Sequence, residues 1–302
     1  MTHEELERLN YRILPCEESD LEYLSEKLEA ERYLHVPPMP EAQEEDIVLI
    51  IAAEDGTVIA GCITWIDNWN VAELGVLWVD AQYRKCGLGS ALVRETERLV
   101  KEKGCYLVTL DTCDFQGKPF YEKQGYSLCG TIENSPRGHC DNIMMKRLDL
   151  SSEKDALAAP PTETRFAIKL GTKEDRAFLG DKLMEYNVSQ APESYDGEDY
   201  VSLGKKITTA DGTLIALCDA EFGLCREASI DLWVEEGYRK QGFGSYLLRE
   251  IERDAKEKGA YLMVIEALDW QADFFQKHGY TVCSTTEDRP KGHSSFVLRK
   301  AL

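Results

Sequence analysis

Long apolar runs are missing from this 302-residue chain, and no stretch approaches the eighteen residues that a membrane-spanning helix needs. The opening residues, Thr2-His3-Glu4-Glu5, also lack the basic-then-apolar order of a secretory leader. A cytoplasmic protein with no membrane partner is therefore expected. Basic side chains are few beside acidic ones, 35 against 55, which leaves a net charge of −20. Nucleic acid phosphates attract basic surfaces, so no nucleic-acid partner is expected, whereas a cationic small molecule suits this charge. The ten cysteines contain no C-x-x-C pair and no metal-ligand spacing. Several of them (Cys62, Cys129, Cys218 and Cys283) stand in apolar, strand-like runs, so we expect reduced core residues rather than disulfides, and no metal site.

What the chain has is the same motif twice. Tyr83-Arg84-Lys85-Cys86-Gly87-Leu88-Gly89-Ser90 and Tyr238-Arg239-Lys240-Gln241-Gly242-Phe243-Gly244-Ser245 share six of eight residues at a separation of 155. The match extends from Leu-Trp-Val before each loop to Glu-Lys-Gly after the following helix, and on to Gln124-Gly125-Tyr126 against His278-Gly279-Tyr280. It ends in Pro136-Arg137-Gly138-His139 against Pro290-Lys291-Gly292-His293. From Gln124 onward the separation is 154, so one residue near Lys118 is extra in the first copy. Such a period is far above the 20 to 50 residues of solenoid arrays and marks a duplicated domain. We expect a first domain over 1–149, a linker over 150–163 rich in small, charged and proline residues, and a second domain over 164–302.

Around each loop the pattern reads strand, glycine loop, helix, strand. The β-rich runs Leu74–Val79 and Ile230–Val234 precede it. Apolar residues at helical spacing follow (Val93, Thr96, Val100; Leu248, Ile251, Ala255), and Gly104 and Gly259 supply the stop. Free amides of the loop and first helical turn then converge with the positive helix end behind them, which suits a pyrophosphate. Arg84 and Lys85 add charge. The P-loop pattern is absent, and Leu92 and Leu247 stand where the dinucleotide fingerprint needs a third glycine.

Arg84-x-x-Gly87-x-Gly89 and Arg239-x-x-Gly242-x-Gly244, each after a strand ending in valine, resemble the acetyl-CoA signature of the GNAT N-acetyltransferase superfamily. Phe120-Tyr121-x-x-x-Gly125-Tyr126 is similar to the family segment whose helix carries a catalytic tyrosine. The resemblance implies an α/β fold of two tandem GNAT-like domains, each a mixed, mostly antiparallel sheet flanked by helices, with the fourth and fifth strands splayed. It places acetyl-CoA, as co-substrate, against Trp78, Val79 and Arg84, Lys85, Gly87, Leu88, Gly89 and Ser90. In the second copy the same carry-over gives Trp233, Val234, Arg239, Lys240, Gly242, Phe243, Gly244 and Ser245. Many family members carry an asparagine after the fifth strand, where Phe115-Gln116 and Trp270-Gln271 stand here.

The implied reaction is acetyl transfer to a primary amine of a small cationic molecule, directly within a ternary complex. An ammonium of pKa near 10.4 is free base in only about one molecule in 2,500 at pH 7, a barrier of roughly 4.6 kcal/mol that a general base helps to offset. The resemblance gives Tyr121 as general acid and Glu73 as candidate base. Phe275 replaces the tyrosine in the second copy, so that copy is expected to bind acyl-CoA with little or no turnover. Trp65 and Trp69 are candidates for an amine pocket through cation-π contact. The acceptor helices, Leu21 to Tyr33 and Phe178 to Val188, have diverged most, with Asn187 facing Arg32. His139 and His293 lie in turns, where a structural hydrogen bond is expected. Two other readings stay open: a non-catalytic acyl-CoA-binding scaffold, and a protein-lysine acetyltransferase. A monomer with an internal pseudo-dimer is expected.

Overall fold

The computed structural model describes residues 1–39, 45–150, 166–195, 197 and 200–302. From residue 151 onward the expected linker lies outside the described residues. In chain order the elements begin α1 (His3–Arg8), β1 (Arg12–Pro15), α2 (Glu18–His35), β2 (Glu45–Ala52), β3 (Val58–Ile66) and β4 (Val71–Val79). They continue α3 (Leu88–Glu102), β5 (Leu107–Cys113), α4 (Lys118–Lys123), β6 (Ser127–Glu133) and β7 (Cys140–Arg147). The rest are β8 (Ile168–Leu170), α5 (Lys173–Gln190), β9 (Val201–Thr208), β10 (Leu214–Phe222), β11 (Glu227–Val234), α6 (Phe243–Glu257), β12 (Leu262–Leu268), α7 (Asp269–Lys277), β13 (Thr281–Glu287) and β14 (Ser294–Ala301). Among the described residues, no helix is long and apolar enough to cross a membrane.

Two compact units form, and they are not the sequence copies 1–149 and 164–302. One holds the first loop and comprises Pro38–Glu193 and Ser284–Ser294; we call it the Arg84 unit. The other, the Arg239 unit, comprises Met1–Pro37, Ser194–Cys283 and Ser295–Leu302. Each unit thus takes its first strand and long helix from the other half of the chain. In the Arg84 unit, β8 pairs antiparallel with β2 (Leu49 opposite Leu170), and α5 packs on β2, β3 and β4. In the Arg239 unit, β1 pairs antiparallel with β9 (Leu14 opposite Lys206), and α2 packs on β10 and β11.

The Arg84 unit orders its strands β6-β7-β5-β4-β3-β2-β8, and the Arg239 unit runs β1-β9-β10-β11-β12-β14. Among the described pairings β4–β5 and β11–β12 are parallel and the rest antiparallel, so each sheet is mixed and mostly antiparallel. Side chains alternate between two faces along each strand. On β2, Ile47, Leu49 and Ile51 join Leu92, Val93 and Val100 of α3 in the main core. The alternate residues Val48 and Ile50 face the smaller cluster of Ile63, Val76 and Leu179. Both helices brought from the other half begin with reciprocal caps. Glu17 N–H donates to Asp20 Oδ2 at 2.7 Å, and Thr172 N–H donates to Asp175 Oδ2 at 2.8 Å.

One local feature differs between the sheets. In the Arg84 unit Ile63 faces Val76 but Thr64 faces Leu74, so Gly75 is an extra residue on β4. A Cβ on Gly75 would stand 1.7 Å from Trp65 Cζ3, so the indole lies where a side chain would have been. The second sheet runs without this bulge, Asp219 facing Asp231 and Ala220 facing Ile230.

Leu179 is fully buried in the α5 cluster, and its truncation to alanine is expected to cost about 2–5 kcal/mol. In hydrogen exchange, Leu179→Ala should lose protection in β3 and β4 and leave β10 and β11 unchanged. The opposite pattern would assign α5 to the unit of its own half.

Candidate active site

The site starts from a ladder that stops. β4 and β5 pair in parallel at only three positions, Val71–Leu107, Ala72–Val108 and Glu73–Thr109. β5 continues to Cys113 against β7, and β4 continues to Val79 against β3. From Leu74 to Val79 the β4 edge therefore faces a gap. β11 and β12 repeat this arrangement, pairing at Glu227, Ala228 and Ser229 before they part. An unpaired strand edge presents amides and carbonyls to an extended ligand.

At the end of β4 a short turn over Ala81–Tyr83 leads to Arg84, whose Nε donates to Val79 O at 3.0 Å. Lys85 has φ +63 and Gly87 φ +82; the left-handed glycine opens α3, and no side chain caps that helix. The second loop matches: Arg239 Nε to Val234 O at 2.8 Å, Lys240 at φ +61, Gly242 at φ +95, and no side-chain cap on α6. First-turn amides without a cap, beside an arginine and a lysine, fit the pyrophosphate of a coenzyme A thioester.

The cofactor candidates divide by what their side chains do. Leu88 and Phe243 are buried core residues, so only their backbones face the loop. Ser90 Oγ accepts from Gln124 Nε2 at 3.1 Å, and Ser245 Oγ bonds His278 Nε2 at 2.8 Å. Gly89 and Gly244 pack close to Val79 and Val234 at the strand ends. Trp78 meets Phe178 edge-on at 5.6 Å, and Trp233, buried, meets Tyr23 at 5.7 Å.

Tyr121 lies on α4, nearly buried between Phe120 and Tyr126. Burial raises its phenol pKa, and the carboxylate of Asp111 and the thiol of Cys62 add to the shift. Among the described residues its hydroxyl takes no hydrogen bond. Phe275 holds the same place in α7 beside Tyr280 at 5.6 Å. The extra residue of the first copy lies in the turn before α4, whereas β12 passes straight into α7.

Asp111 is the functional candidate that the sequence reading missed. It lies on β5 two residues beyond the last pair with β4, with an exposed side chain. Desolvation by the surrounding protein nonetheless raises its carboxyl pKa. The signal was available: an acid interrupts Leu-Val-Thr-Leu-Asp-Thr-Cys at the position where Glu266 interrupts the matching strand. Glu73, by contrast, sits where the ladder still holds and pairs with Arg289 Nη2 at 3.3 Å.

Other candidates have structural work. Gln116 folds back on the β5–α4 turn, its Oε1 accepting from Cys113 N–H at 2.8 Å, and Gln271 accepts likewise from Leu268 N–H at 3.0 Å. His139 Nδ1 lies 3.0 Å from Asp114 Oδ1, while the backbone N–H groups of His139 and His293 close their turns onto Pro136 and Pro290. Trp65 rests on Gly75 with Arg176 over its ring at 5.9 Å, and Trp69 is buried. All ten cysteines are free.

The faces beneath the long helices have diverged. Where the Arg84 unit has Ile63 and Val76 under Leu179, the Arg239 unit has Asp219 opposite Asp231, with Arg32 of α2 acting on Asp231. Desolvation, then the charges of Glu221 and Asp231, push the Asp219 pKa up to about 6.

The sequence model of the acetyltransferase (GNAT) family matches residues 9–126, and that of an acetyltransferase (GNAT) domain matches residues 200–282. Blasticidin-S acetyltransferase of Streptomyces morookaense is 32% identical over 124 residues, 41% of this chain and 91% of that protein. Glucosamine 6-phosphate N-acetyltransferase of Trypanosoma brucei brucei is 46% identical over 48 residues, 16% of this chain and 32% of that protein. A crystal structure of an acetyltransferase from Bacillus cereus ATCC 14579 is 31% identical, with a TM-score of 0.42 over 45% of this chain and 96% of its own.

A raised carboxyl pKa favours the fold when the group is protonated. Asp219 thus contributes fully below the ordinary value of 3.8, and that contribution is lost as pH rises through about 6. Asp219→Asn should melt higher than the wild type at pH 8, with the advantage shrinking below pH 6. Equal melting temperatures across that range would contradict the burial. The two loops, the two parted strand pairs and the matched sequences together show that this chain is an N-acetyltransferase of the GNAT family with two GNAT domains.

Proposed function

We propose that the Arg84 unit transfers an acetyl group from acetyl-CoA directly to the primary amine of a small, cationic acceptor. The Arg239 unit, on this reading, holds acyl-CoA with little or no turnover. The observation that carries the proposal is the gap where β4 leaves β5 after Glu73. An uncapped helix start with Arg84 stands on one lip, and Tyr121 and Asp111 stand on the other.

Acetyl-CoA supplies the activated acetyl thioester. The loop amides and Arg84 hold its pyrophosphate, and the open β4 edge from Leu74 to Val79 holds its pantetheine arm. Asp111 accepts the proton that the ammonium must lose, and we assign that task to it in place of Glu73, which is paired with Arg289. A base serves best with a pKa near the working pH, and the raised carboxyl moves in that direction. As the nitrogen–carbon bond forms and the carbon–sulfur bond breaks, the Tyr121 hydroxyl gives its proton to the departing sulfur, and the second proton that the nitrogen sheds on becoming an amide restores the phenol. A phenol with raised pKa is fully protonated at neutral pH, as a donor must be. Direct transfer is supported by Cys62, the cysteine whose charge acts on Tyr121: burial pushes its thiol up to about 11, so it is not a thiolate nucleophile at neutral pH.

Two observations favour binding without turnover in the Arg239 unit. Phe275 has no proton to donate, and Glu266, the counterpart of Asp111, accepts from Ser295 Oγ at 2.6 Å. The net charge of −20 supports a cationic acceptor. The name of one relative, glucosamine 6-phosphate N-acetyltransferase, gives an amine on a small molecule as that protein's acceptor.

In steady-state assays with an amine that the wild type acetylates, Tyr121→Phe should lower kcat by about 10²-fold or more and leave the KM for acetyl-CoA unchanged. Asp111→Asn should lose activity most near neutral pH and recover as pH rises toward the amine pKa. Full kcat in Tyr121→Phe, or loss in Glu73→Gln with none in Asp111→Asn, would sink the assignment.

A further inference from the structure

Two residues of α5 that reach the first site, Tyr186 and Asn187, belong to the half of the chain that carries the second loop. Tyr186 presents its ring to the Arg84 guanidinium at 5.0 Å from the centroid, and its hydroxyl donates to Phe115 O at 3.0 Å. Asn187 Oδ1 accepts from Gln116 Nε2 at 2.7 Å. Gln116 in turn holds Cys113 N–H and Thr112 Oγ1, at the end of β5 and five and six residues before α4 begins. Adjacent residues of one helix therefore grip both sides of the gap: the arginine of the loop and the turn that leads into α4, the helix that carries Tyr121.

The Arg239 unit repeats the placement with different chemistry. Glu31 of α2, the counterpart of Tyr186, pairs with Arg239 at 2.8 Å, and Arg32, the counterpart of Asn187, acts on Asp231. His35 of the same helix stacks on Trp270, the counterpart of Phe115, at 4.3 Å. The first of these helix positions meets the loop arginine in both units, which argues for a role rather than a chance contact, while the segment after the fifth strand is met by Asn187 in one unit and by His35 in the other.

We propose that Tyr186 and Asn187 are positioning residues for acetyl transfer in the Arg84 unit, Tyr186 by orienting Arg84 toward the cofactor phosphates and Asn187 by fixing the Gln116 turn that sets Tyr121. This inference rests on the acetyl-transfer reading of that unit. It makes the first site dependent on the second half of the chain, although each loop lies wholly within its own copy.

The test uses the full chain with acetyl-CoA and an amine that the wild type acetylates. Tyr186→Leu should raise the KM for acetyl-CoA about fivefold, and Tyr186→Phe, which keeps the ring on Arg84, should restore it. Asn187→Ala should lower kcat roughly tenfold at unchanged KM. In a Gln116→Ala background, Asn187→Ala should lower kcat no further, because Asn187 acts through that side chain. Met184→Ala, an exposed change on the same helix, controls for damage to α5. Wild-type KM and kcat in Tyr186→Leu and Asn187→Ala would overturn the proposal, as would strictly additive losses in the double variant. A fall in both constants that Tyr186→Phe fails to relieve, with a lowered melting temperature, would reduce α5 to a packing role and also overturn it. If the wild type transfers no acetyl group, the acetyl-transfer reading fails. The dissociation constant of acetyl-CoA, compared between the wild type and Tyr186→Leu, then decides the positioning of Arg84 by itself.

Discussion

The site depends on the early end of one parallel ladder. Had β4 and β5 stayed paired to their ends, the amides and carbonyls from Leu74 to Val79 would be consumed within the sheet. Instead the strands part after Glu73 and Thr109, β5 is held by β7 and β4 by β3, and the backbone between them is left to a ligand. The gap brings a polar strand edge, an uncapped helix start and a carboxylate into one place. The second unit makes the same gap from the same number of pairs, so the parting of the strands is common to both copies even where the residues at its lip differ.

The long helix packed on β4 in one unit and on β11 in the other is drawn from the other copy. α5 buries Leu179 against Ile63 and Val76, and α2 buries Leu24 against Leu217 and Trp233. Burying one leucine is worth about 1.5–3 kcal/mol, so a helix attached chiefly by one such residue relies on its strand and polar contacts as well. Those polar contacts have diverged. The Arg84 unit uses an aromatic ring and an amide, and the Arg239 unit uses carboxylates and arginines, down to the Asp219–Asp231 pair beneath the helix.

Local signals in the sequence carried the loops, the flanking strands and helices, and the contrast of Tyr121 with Phe275, because each rests on residues close together in the chain. The exchange of α2 and α5 had no such signal. Both helices offer one buried leucine and similar caps, so these local signals do not say which core each joins, and a repeat compared with itself looks the same whether its elements pack within or across copies. Gly75 looked like an ordinary strand glycine until register showed the bulge. Asp111 is a single acid in an apolar strand, and only the parting of β4 from β5 separates it from a surface carboxylate. Glu73, five residues before Trp78, was attractive by position, but the ion pair with Arg289 depends on a residue more than two hundred positions away.

The central claim is that both parted strand pairs remain cofactor sites while one unit does the chemistry. Calorimetric titration of acetyl-CoA into the full chain tests it most directly. Two molecules bound per chain is the predicted result. A chain that binds none would contradict the account, and a single site lost in Arg239→Ala but kept in Arg84→Ala would reverse its assignment of the working unit.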